Sequence, residues 1–171
     1  VKIEKEINSK VDIVVMVQGD EPMLTPEMIS ESMKPLAKDP LVNVVNLMAN
    51  MKTTQEFEDP NEVKVVVDSF NNALYFSREP IPSTKKFSSA IPMLKQVCVI
   101  PFRRDYLLKF NAMERTSLEI IESIDMMRLL ENGEKVRMVM TDTLSYSVDT
   151  PEDLLNTQKA MENDPLMSFY E

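Results

Sequence analysis

The chain has 171 residues, 43% apolar and 27% charged, which is ordinary for a globular protein and enough for one domain with a full core. Its net charge of −9 argues against a nucleic-acid partner, because phosphate backbones call for basic surfaces. With no histidine and one cysteine, Cys98, it has no Ser–His or Cys–His nucleophile, no disulfide framework and no zinc site of imidazole or thiolate. Any metal must be held by oxygen, which favours magnesium or a similar hard ion. Gly19 and Gly133 are the only glycines, so the chain carries no glycine-rich phosphate loop. No apolar run reaches membrane-spanning length and no amino-terminal signal pattern is present, so the expectation is a cytoplasmic protein without a membrane partner.

Residues 1–10 are mixed and charged and read as the end of a helix. An apolar run predicts a buried strand over 12–17, closed by Gln18-Gly19-Asp20-Glu21-Pro22. Thr25-Pro26-Glu27 opens a helix: a threonine N-cap, proline at the first helical position and an acid at the positive end of the dipole. Pro35 should kink that helix or end it early, and it cannot pass Asp39-Pro40. Residues 42–49 read as a strand, and Thr53 or Thr54 opens a short helix reaching Phe57. Strands over 63–67 and 73–76 flank the turn 68–72 and predict a hairpin. Residues 79–92 carry three prolines and read as a long loop; 94–100 form a further strand. A short helix runs from Arg104 to about Phe110.

Thr116-Ser117-Leu118-Glu119 matches a capping box, and the pattern predicts one helix continuing to Glu131, with Leu118, Ile121, Ile124 and Leu129 on its buried side. Gly133 is the expected left-handed stop. Strands are predicted over 136–140 and 144–148, and Thr150-Pro151-Glu152-Asp153 opens a last helix to about Met161. Lys64 is read as lying on a polar strand face or at an edge, and Cys98 as inert core.

Asp20 and Asp149 occupy matching settings. Each follows a predicted strand and precedes a helix opened by Thr-Pro-Glu. If the two strands share a sheet and run parallel, both carboxylates emerge at its carboxyl edge, where open α/β sheets bind ligands. Two such carboxylates can hold a divalent ion that bridges phosphate oxygens. The plainer alternative is that each aspartate favours a strand-to-helix turn.

Four blocks stand in order: Val17-Gln18-Gly19-Asp20-Glu21-Pro22; Asp59-Pro60-Asn61-Glu62-Val63-Lys64-Val65-Val66; Ala73-Leu74-Tyr75-Phe76-Ser77-Arg78 with Pro80-Ile81-Pro82; and Val148-Asp149-Thr150-Pro151-Glu152-Asp153-Leu154. Together they resemble the 3-deoxy-manno-octulosonate cytidylyltransferases, or CMP-Kdo synthetases, over about Val11 to Leu155. The resemblance implies an α/β sugar-nucleotidyltransferase fold of three layers with a mixed sheet, and a homodimer. It implies transfer of CMP from CTP to the anomeric hydroxyl of an acidic sugar of lipopolysaccharide biosynthesis, with magnesium and release of pyrophosphate. Asp20 and Asp149 would then be the catalytic, metal-binding pair. Gln18 and Gly19 would face the sugar, Arg78 would meet its carboxylate or a phosphate, and Gln96 and Asp125 would line its pocket.

The sequence departs from that family in two places. The basic, glycine-containing loop that grips CTP phosphates is absent, so residues 1–171 read as one domain forming the carboxyl-terminal two-thirds of a larger one. The family's His-Leu-Gly-Ile-Tyr-type strand is replaced by Gln96-Val97-Cys98-Val99-Ile100, and its Glu-Gln by Asp125-Met126. A non-catalytic dimerising relative, or a nucleotidyltransferase for a different acidic sugar, are the alternatives these departures raise.

Overall fold

The computed structural model describes residues 1–86, 91–143 and 146–167. Its first half holds α1 (Lys2–Glu6), β1 (Ile13–Val17), α2 (Pro26–Lys38), β2 (Val45–Asn50), α3 (Thr54–Glu58), β3 (Lys64–Val67) and β4 (Ala73–Ser77). The second half holds β5 (Leu94–Val97), β6 (Val99–Arg103), α4 (Arg104–Ala112), α5 (Ser117–Glu122), α6 (Met127–Glu131), β7 (Arg137–Met140) and α7 (Pro151–Met161).

Five strands pair in the order β4-β3-β5-β2-β7, and β1 pairs with β6. β2 is parallel to β7 and antiparallel to β5, so the sheet is mixed. An antiparallel bridge between Val44 and Phe102 lays β6 beside the entry to β2. Because β1 is antiparallel to β6, β1 runs in the direction of β2 and β7, and their carboxyl ends share one edge.

β2 is buried on both faces: four of its six residues are apolar and buried, and the buried Asn46 satisfies its amide on the Leu47 and Val97 carbonyls. Leu47 and Ala49 pack with Met28 of α2, while Val45 packs with Leu36 of the same helix. On the opposite face Val44 and Met48 join Phe76, Phe102, Phe110, Met127 and Leu129 beneath α4 and α6. The sheet thus lies between α2 and the α4–α6 layer, giving the expected three layers.

Several expectations are corrected. β1 is half-buried rather than buried, because among the described residues β6 is its only strand partner. Pro35 does not end α2, which runs to Lys38. Leu36 is buried in that last turn, and the Arg103 guanidinium donates to the carbonyls of Leu36 (2.7 Å), Asp39 (3.1 Å) and Val42 (2.8 Å), holding it in place. The strand expected over 94–100 is two, and the chain changes sheet at Cys98.

The helix expected over 117–131 also breaks. Ser123 takes φ +56°, and Ile121 is 74% exposed instead of buried. Tyr146, Ser147 and Val148 form no strand; Leu144 and Ser145 of that expected strand lie outside the described residues. Gly133 does stop α6 at φ +72°, where its N–H donates to Leu130 and that of Glu134 to Leu129, each at 3.0 Å.

Candidate active site

The turn after β1 closes when the Glu21 N–H donates to the Gln18 carbonyl (3.3 Å). Glu21 is buried, and its Oε1 accepts the Cys98 N–H at 3.3 Å, which ties the turn to the junction of β5 and β6. The Val148 N–H donates to the Asp20 carbonyl at 2.9 Å. That bond sets the Asp149 segment directly beside the Asp20 turn. A strand ending at Asp149 is therefore not what brings the two aspartates together; a cross-link between two connections at the carboxyl edge does so.

The two carboxylates differ in surroundings. Asp20 Oδ1 is buried and has no hydrogen-bond partner among the described residues, an arrangement that native structures rarely leave unexplained. Asp149 is exposed, and its Oδ2 accepts the Ser147 hydroxyl at 2.7 Å. Among the described residues no group of three or more acidic, thiol or imidazole side chains converges to hold a metal. Two carboxylates with room for substrate oxygens are nonetheless the usual protein share of a magnesium site. The donor chemistry fits a hard cation, since both side chains offer oxygen. The nearby Cys98 thiol is pushed up to about 12, first by burial and then by the carboxylates of Glu21, Asp20, Asp125 and Asp149. Cys98 is thus a protonated thiol in the wall of the site, inert as expected but not a core residue.

Beside this edge lies a cavity of about 230 Å³ lined by Gln18, Arg78, Gln96, Cys98, Arg115 and Asp125, among others. Four expected substrate-facing residues therefore meet in one place: Gln18, Arg78, Gln96 and Asp125. Asp20 and Asp149 are not in its lining, and Gly19 is exposed in the turn next to Gln18. Burial raises the Asp125 carboxyl above its ordinary 3.8, and the Met126 N–H and Arg128 only partly oppose this. Gln96 Nε2 donates to Oδ1 of the fully buried Asn46, whose own amide donates to the Leu47 (2.9 Å) and Val97 (2.7 Å) carbonyls.

Arg78 is built into the wall. Its Nε donates to the Glu122 carbonyl (2.8 Å), Nη1 to Pro60 (2.8 Å) and Nη2 to Ser123 (3.4 Å). The Glu122 carboxylate in turn accepts from the Tyr75 hydroxyl, Ser77 Oγ and the Arg78 N–H at 3.0–3.2 Å. Lys64 is fully buried rather than at an edge. Its Nζ donates to the Asp59 carbonyl at 2.7 Å, and desolvation lowers its pKa. Arg78 and Lys64 thereby clamp the Asp59-Pro60 turn.

The cytidylyltransferase family profile matches residues 2–136. The chain is 41% identical over 158 residues to a 3-deoxy-manno-octulosonate cytidylyltransferase of Pelobacter propionicus, covering 86% of this chain and 62% of the relative. It is 44% identical to the one of Geotalea uraniireducens, covering 84% and 61%. A solved structure of CMP:2-keto-3-deoxy-manno-octonic acid synthetase complexed with CTP superposes with a TM-score of 0.81 at 31% identity, covering 94% of this chain and 66% of that one. The chain belongs to the cytidylyltransferase family. It spans about three-fifths of the length of the curated relatives it matches.

As a cytidylyltransferase chain it places its departures unevenly. Ile100 is 1% exposed in the core and presents nothing to the cavity, and Met126 is fully buried. At these two departures it is Gln96 and Asp125 that line the cavity. Arg115, Cys98 and Ser123 also line it and were not singled out as site residues from the sequence. Arg115 reads there as an ordinary i,i+4 partner of Glu119, and the left-handed Ser123 carries no glycine signal.

Proposed function

We propose that this chain forms the metal-holding edge and sugar cavity of a CTP-dependent cytidylyltransferase that activates a 3-deoxy-ulosonic acid of the Kdo type for lipopolysaccharide biosynthesis. The new bond joins the sugar's anomeric oxygen to the α-phosphorus of CTP, and the bond broken releases pyrophosphate. The observation that carries the reading is the Val148-to-Asp20 backbone bond, which sets the Asp149 segment beside an Asp20 whose buried Oδ1 has no partner among the described residues.

Asp20 and Asp149 would hold magnesium, which when bound supplies positive charge against the phosphate oxygens. Gln18, Gln96 and Asp125 would fix the sugar hydroxyls. Burial raises the Asp125 carboxyl above its ordinary value, and the group accepts from sugar hydroxyls as a carboxylate does. Arg78 would shape the cavity wall and offer the N–H groups that the three carbonyls leave over. Gly19 would let a ligand approach the turn closely. A homodimer in the cytoplasm belongs to the same reading through the family likeness.

The test is formation of CMP-sugar and pyrophosphate by the protein in its natural full-length form, with CTP, magnesium and a panel of 3-deoxy-ulosonic acids. Asp20→Ala and Asp149→Ala should each lower turnover by about a hundredfold or more. Wild-type turnover in either variant would remove that carboxylate from the site.

A further inference from the structure

The cavity holds two guanidinium groups in opposite states. Arg78 spends its fork on three backbone carbonyls, which leaves its plane fixed in the wall. Arg115 stands just before Thr116, the N-cap of α5, with its side chain 65% exposed. Its one hydrogen bond runs from Nε to Glu119 Oε1 at 3.2 Å. That acceptor is already taken, since Arg128 grips both oxygens of the buried Glu119 at 2.6 and 2.7 Å. Among the described residues, Arg115 Nη1 and Nη2 have no partner.

Two parallel N–H donors held at a cavity rim match a carboxylate in both geometry and charge. The setting makes such a cation necessary for an anionic ligand. Asp20, Glu21, Asp125 and Asp149 all act on the thiol in this wall, and the chain carries net charge −9. Among the described residues, Arg78 and Arg115 are the cationic side chains in the cavity lining, and of the two Arg115 has the open fork.

We propose that Arg115 is a specificity-determining residue that receives the carboxylate of the acidic substrate on Nη1 and Nη2, while Arg78 serves as the wall behind it. This rests on the reading that the cavity takes an acidic sugar. Arg115→Met and Arg115→Lys are compared with wild type in the natural full-length protein, using a 3-deoxy-ulosonic acid and its neutral carboxamide.

Arg115→Met should raise KM for the acid about ten- to a hundredfold while KM for CTP and the melting temperature stay put, as loss of a charge-assisted pair implies. Arg115→Lys should recover part of the loss, because it keeps the charge without the fork. Wild type should prefer the acid to the carboxamide, and Arg115→Met should lose that preference. An unchanged KM for the acid in Arg115→Met, or a preference that survives the substitution, overturns the assignment while leaving the proposed function standing. A wild-type protein that turns over no ulosonic acid with CTP overturns both.

Discussion

Gly19 separates a structural from a functional demand at a single residue. Its φ is not left-handed, and a Cβ built there meets nothing within 4 Å. Neither the turn nor the packing requires glycine, which leaves close approach of a ligand as the role the proposed function gives it. Gly19→Ala should unfold at the same denaturant concentration as the parent or slightly higher, since alanine restricts the unfolded chain. It should bind nucleotide and sugar more weakly, and calorimetry on the same samples checks both halves.

Asp125 makes a second prediction at this scale. Its folded pKa is raised by burial, so the folded state holds the proton more tightly than the unfolded one. The stability this contributes is full below the ordinary 3.8 and is lost as pH rises through the folded value. Asp125→Asn should therefore gain stability over the parent as pH rises from that range to neutral, at a cost in sugar affinity. Equal pH dependence in thermal melts of the two proteins would contradict the assignment.

Among the elements, what could be read from the sequence was local chemistry. Thr25, Thr53 and Thr150 each cap the helix that follows with a side-chain oxygen, and Gly133 stops α6, because capping involves only residues a few positions apart. At α5 the Leu118 and Glu119 N–H groups go instead to the Glu131 carboxylate. The break at Ser123 was not legible. A left-handed serine is imposed by tertiary contacts, here the Glu119–Arg128 pair that folds α6 back onto α5 and aims Asp125 at the cavity. The change of sheet at Cys98 was hidden for a related reason. A continuous apolar run looks the same whether it serves one sheet or two.

The Glu119–Arg128 pair bears directly on stability. Glu119 is 3% exposed, and Arg128 also stacks over the Phe110 ring at 4.5 Å. Arg128→Met leaves the buried Glu119 carboxylate with only the longer bonds from Arg115 and the Thr116 N–H and should cost about 3 kcal/mol in chemical denaturation. Arg128 holds the Glu119 carboxyl below its ordinary range, so this stabilisation is present above the unfolded value and is lost as pH falls through the folded one. The loss on substitution should accordingly shrink in acid.

In the molecule as a whole, the direction of the strands decides where chemistry can occur. β1, β2 and β7 run the same way, and the connections leaving β1 and β7 meet at their common carboxyl edge, as ligand sites in α/β sheets do. The family, and through that resemblance the three layers, were legible from ordered motif blocks. The mode of convergence was not, since a backbone hydrogen bond between residues 148 and 20 leaves no mark on side-chain identity. No helix among the described residues is long and apolar enough to cross a membrane.

Manganese provides the most direct test of the central claim that Asp20 and Asp149 share one ion, because it substitutes for magnesium at oxygen sites and is visible by paramagnetic resonance. Titrated into the natural full-length protein with CTP present, it should bind at a single tight site that is lost in both Asp20→Asn and Asp149→Asn. Tight binding that survives in either variant would contradict a shared site.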